Sequence, residues 1–109
     1  MAPDDVSTLV DAIEQLLHEP PAAGLEAVER IERTLTDGYA GALALEGERL
    51  RLERRIAEEA RTLAGGADPA QARDLAELYD RLAATDADLE RLRSALASLQ
   101  RRHAAVRAA

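Results

Sequence analysis

The run from Leu75 to Val106, LAELYDRLAATDADLERLRSALASLQRRHAAV, decides the fold. Within it Leu75, Leu78, Leu82, Thr85, Leu89, Leu92, Leu96, Leu99, His103 and Val106 recur at alternating steps of three and four. That spacing holds the side chains on one stripe of a helix, the seam of a coiled coil. Upstream, Val28, Ile31, Leu35, Gly38, Ala42, Leu45, Arg49, Leu52, Ile56 and Glu59 keep the same steps. Folding one series back on the other gives a single unbroken register: Val28 meets Val106, Gly38 meets Leu96, Arg49 meets Thr85, Ile56 meets Leu78 and Glu59 meets Leu75.

The residues between the series specify the reversal. Gly65 stands where a glycine closes a helix, and Asp68-Pro69-Ala70-Gln71 reads as N-cap, first-turn proline and third-position glutamine. The arms are therefore expected at 25–64 and 69–106, each about 60 Å long. Ahead of them, Asp4 is a suitable N-cap for a short helix over 5–18, with Val6, Leu9, Val10, Ile13, Leu16 and Leu17 on one face. A helix this short is marginal alone and must dock. Glu19-Pro20-Pro21 then breaks the chain before the first arm. The expectation is one all-α domain over 1–109: a long antiparallel coiled-coil hairpin with a short N-terminal helix, pairing into a four-helix-type bundle.

The composition agrees with that plan. Hydrophobic residues make up 47%, about half of them Ala, and the aromatics are Tyr39 and Tyr79, so Leu and Ala must do the packing. The net charge of −7 argues against a nucleic-acid binder, which needs a basic surface. Charge is also segregated: residues 1–24 carry Asp4, Asp5, Asp11, Glu14 and Glu19 and no Arg, whereas 91–109 carry five Arg and no acid. Cysteine is absent, which removes disulfides and thiolate chemistry. No signal-like or membrane-spanning run is present, and a cytoplasmic location is the default expectation.

With the seam labelled a and d, the e and b positions of both arms share one broad face, and g and c share the other. The e/b face presents Tyr39, Leu43, Leu50, Ala57 and Ala60 from the first arm and Tyr79 and Ala83 from the second. The g/c face is mostly charged or hydroxylated. An apolar stripe left after the seam is buried is normally covered. The N-terminal helix is expected over about the first third of it, its acids facing the Arg-rich end of the second arm. The remainder calls for a second copy, the commonest kind of partner, or for a helix of another protein. Two flanking contacts in this register bring like charges together, Glu46 with Asp86 and Arg55 with Arg81.

Three places in the seam stand out. Arg49 opposite Thr85 is a polar layer: it fixes register, or its stem packs while its head reaches Glu53 or Asp86. Gly38 opposite Leu96 seats the leucine, kinks the helix, or opens a ligand cavity. With Gly41 and Gly47 it forms a glycine-rich stretch that either breaks the arm at Asp37-Gly38 or admits another backbone. His103 and His18 read as structural. No nucleophile stands beside a base, no phosphate loop appears, and neither His follows a Glu by three residues, so no catalytic, cofactor or metal residue is expected.

The run Ala42-Leu43-Ala44-Leu45-Glu46-Gly47-Glu48-Arg49-Leu50, followed by a Gly/Pro turn and a heptad helix, resembles the hairpin of flagellar export chaperones over about residues 35–100. That resemblance implies an e/b face that cradles an amphipathic helix of an export client. The hairpin plan is also similar to that of small secreted WXG-type proteins, although this chain has no Trp, and to transcription factors that insert a coiled-coil tip into RNA polymerase, although Asp68 is the lone acid of the turn. The functional expectation is a non-catalytic protein–protein interaction module, with a client-binding chaperone or adaptor and a small-molecule-binding bundle as alternatives.

Overall fold

The computed structural model describes residues 3–20, 24–66 and 68–108, residues 3–5 through their backbone alone. They form three helices, α1 (Pro3–His18), α2 (Leu25–Ala64) and α3 (Pro69–Ala108). No strand occurs among the described residues. Helices α2 and α3 pack antiparallel as a hairpin, in a molecule of 64 × 17 × 16 Å. Helix α1 begins two residues before the expected start, so Asp4 falls within its first turn, and α3 runs two residues past the expected end. The side chain of Asp4, as well as Pro21, lies outside the described residues.

Local chemistry sets the helix ends. Asp68 caps α3: its Oδ1 accepts from the Ala70 N–H at 2.9 Å, and its carbonyl accepts from the Ala72 N–H at 3.0 Å. The end of α2 departs from expectation. Gly65 is right-handed (φ −83°, ψ −6°), and the helix closes by tightening: the Gly65 N–H donates to the Thr62 carbonyl at 3.2 Å and the Gly66 N–H to the Leu63 carbonyl at 3.1 Å. The glycine whose freedom is used is Gly24, at φ 112° just before α2. A Cβ there would touch nothing within 4 Å, so the requirement is purely conformational.

Helix α2 is continuous through Asp37-Gly38, so of the two readings of the glycine-rich stretch the break does not occur. Gly38 is buried, and a Cβ on it would collide with Leu96 Cδ2, with Leu96 Cγ at 3.3 Å. This is the small-to-large layer of the register. The space left by the missing side chain is filled by Leu96, so it is not a ligand cavity.

The seam divides into two cores. The larger joins α1 (Val6, Val10, Ile13) to α2 (Ile31, Leu35, Ala42, Leu45) and α3 (Leu89, Leu92, Leu96, Leu99). The smaller, toward the turn, consists of Leu52, Ile56 and Leu78, flanked by Leu75 and Leu82. Between them lies the Arg49/Thr85 layer. One half of the molecule is thus a three-helix bundle and the other a bare two-helix hairpin.

Candidate interaction face

Helix α1 docks on the g/c face, contrary to the expectation that it would cover the start of the e/b stripe. Its C-terminal end lies against Ala27, Arg30 and Arg102, and Val10 and Leu17 border Arg91, Ala95 and Ser98, all g or c positions. The reason is the size of the side chains flanking the seam. At these levels the g row holds the small Ala27, Thr34, Gly41 and Ala95 together with Arg102, and the small residues leave a groove deep enough to admit Val6, Val10 and Ile13. On the other side the e row closes over the seam. Glu46 Oε1 accepts from Arg93 at 2.7 Å, the Tyr39 hydroxyl accepts from Gln100 Nε2, and Glu32 Oε2 lies 3.8 Å from Arg107 and 3.1 Å from His103 Nε2. Each exposed ion pair is worth at most about 1 kcal/mol. Their steric effect is larger, because they leave α1 no groove on that side.

Arg102 locks α1 in place. Its guanidinium donates to the carbonyls of Leu17 at 2.7 Å, Glu19 at 3.2 Å and Leu16 at 3.4 Å. These are the acceptors a helix C-terminus leaves without partners, and the charge also opposes the helix dipole. Glu19 is held a second time by Arg30 at 3.1 Å. The acidic N-terminal segment therefore does lie beside the Arg-rich end of α3, but the contact that fixes it is arginine to carbonyl. His18 Nδ1 sits 2.7 Å from the Glu14 carbonyl, inside the last turn of α1.

With α1 on the far side, the e/b stripe is uncovered along its length. Leu43 is 70% exposed, Leu50 53%, Tyr79 53% and Tyr39 45%; Ala57 and Ala83 are exposed, and Ala60 is half-buried. Leu25, 74% exposed, extends the stripe at its base. It too falls at an e position, a residue the heptad labelling contains but the face assignment passed over. Among the described residues, all five exposed large apolar side chains occupy e or b positions.

The polar layer is resolved by charge. Arg49 Nε lies 2.8 Å from Asp86 Oδ1 and 3.2 Å from Glu53 Oε1, so its guanidinium sits between two carboxylates that face each other across the seam. Thr85 is half-buried beside it. The like-charged flanks are relieved by other partners: across the seam Glu46 pairs with Arg93, Asp86 with Arg49 and Arg81 with Glu48 at 3.2 Å, while Arg55 pairs within its own helix with Glu59 at 3.4 Å. Of the other two glycines, Gly41 is buried, whereas Gly47 is half-buried and a Cβ there would meet only Arg51 Nη1 at an ordinary 3.5 Å.

Among the described residues no helix is long and apolar enough to cross a membrane, and no group of three or more metal-ligating side chains assembles. Comparison with protein-family models, curated proteins and solved structures finds no match for this chain.

Proposed function

We propose that the protein is a non-catalytic interaction module whose e/b face is covered by a second copy of the chain, giving a homodimeric four-helix core with α1 on each outer flank. The observation that carries this reading is the sorting of exposed large apolar side chains. Leu25, Tyr39, Leu43, Leu50 and Tyr79 all lie on the face opposite α1. Such a stripe in water is a standing cost that burial would relieve at about 25 cal/mol per Å² of apolar surface. The turn half supports the same reading, since α1 does not reach the small cluster of Leu52, Ile56 and Leu78.

Leu50→Glu tests it. Leu50 makes no part of either intramolecular core. The variant should therefore keep its helical circular dichroism, while its mass in solution falls from that of two chains to that of one. A native dimer unaffected by Leu50→Glu would remove the e/b face from the interface. A native chain that is helical and monomeric would instead favour a client helix on the stripe, the arrangement an export chaperone uses.

A further inference from the structure

The apolar stripe of the e/b face is edged by acid, and the arginines on that face are already engaged within their own chain. Six carboxylates stand there, Glu29, Glu32, Glu46, Glu53, Asp86 and Glu90, against the guanidinium groups of Arg49, Arg93 and Arg107. Arg93 is held by Glu46 at 2.7 Å, Arg107 lies 3.8 Å from Glu32, and Arg49 is shared between Asp86 at 2.8 Å and Glu53 at 3.2 Å. His103 Nε2 also faces Glu32. What is left over is negative. Glu29 and Glu90 make no ion pair, and Glu53 and Asp86 have one arginine between them. Glu90 lines the same hollow as Arg49, Asp86 and Arg93, beside the polar layer of the seam. The g/c face shows no such surplus, because its acids and arginines are equal in number.

This inference rests on self-association through the e/b face and adds what governs its strength. Two identical faces bring surplus charge of one sign together whichever way the copies are turned. Neither face keeps an unengaged arginine to offset it. We infer that the leftover carboxylates, Glu90 and the Glu53/Asp86 couple foremost, hold the self-contact in check, so that the pair of chains tightens as salt screens them. The apolar side chains drive the contact, and the acids set how strong it is at a given ionic strength. A contact built on ion pairs between the copies would respond in the opposite sense, weakening as salt is added.

The reach of the repulsion gives the size of the effect. The screening length falls from about 30 Å at roughly 10 mM salt to about 8 Å at roughly 150 mM. Charges spread along a molecule 64 Å in length therefore act on one another at the lower concentration and scarcely at the higher. By Coulomb's law in water the dimer should tighten about three- to tenfold in Kd over that range.

A matched pair of variants tests it. Glu90 and Glu77 are both exposed acids of α3 without an ion pair, but Glu90 is at a b position and Glu77 at a c position on the other face. Dilution series followed by light scattering at the two salt concentrations should show the native pair tightening with salt. Glu90→Gln should pair more tightly than the native chain at low salt and respond less to added salt. Glu77→Gln removes the same charge from the chain and should behave as the native protein does. A dimer that weakens with salt or ignores it, or equal effects of the two substitutions, would overturn the inference. The native mass separates it from the underlying reading: a monomer at both salt concentrations removes self-association itself, whereas a dimer without this salt response removes only the control by charge.

Discussion

At the scale of single residues, three positions carry most of the structural argument. Gly38 and Gly47 are both interior helix glycines, and each gives up on the order of 1 kcal/mol relative to Ala. They should respond oppositely to Ala. Gly47→Ala adds a Cβ in ordinary contact with a flexible Arg51 and should stabilise the fold by up to about 1 kcal/mol. Gly38→Ala drives a methyl into Leu96, which is only 3% exposed and has little room to move. Overpacking of about 1–3 kcal/mol then outweighs the gain in propensity. Urea denaturation of the two variants measures both signs, and a stabilised Gly38→Ala would contradict the packing described. Arg102→Gln withdraws a charged donor from three carbonyls and should cost about 1.5–3 kcal/mol. The loss should register in hydrogen exchange as reduced protection of α1 amides, with the turn half of α2 and α3 unchanged.

At the scale of elements, α1 is held to the hairpin by three side chains that are almost completely buried, Val6, Val10 and Ile13. Ile13→Ala should cost about 2–5 kcal/mol and detach α1 while leaving the hairpin helical, as read by exchange and circular dichroism. The two long helices and their register were legible because the heptad steps and the Asp68-Pro69 signal are local chemistry, and Asp68 caps α3 as that reading expects. The face chosen by α1 was not legible from polarity, because the g/c face is polar when averaged along its whole length. Side-chain size at the g row would have shown it: Gly41 and Ala95 face each other where α1 needs depth, while Tyr39, Glu46 and Arg93 close the opposite side. Arg102 was hidden for a similar reason. An arginine reaching backbone carbonyls leaves no sequence pattern, and charge balance alone pointed to carboxylates as its partners. The uncovered face itself could be read from periodicity, because e and b positions follow directly once a and d are assigned.

At the scale of the whole molecule, the Arg49 layer separates a half stabilised by three helices from a half stabilised by two. The turn half buries few large side chains within its own chain, so its stability should depend on whatever covers the e/b face. Its amides should therefore lose protection on dilution before those of the three-helix half do. The melting temperature should likewise rise with protein concentration, and Leu50→Glu should abolish that dependence. The most direct test of the self-covered face is the mass of the unmodified chain by light scattering across a hundredfold dilution, followed alongside by circular dichroism. The account predicts twice the 11.8 kDa of the chain at the concentrated end, with helicity retained. A fully helical species of one chain's mass at every concentration would contradict it.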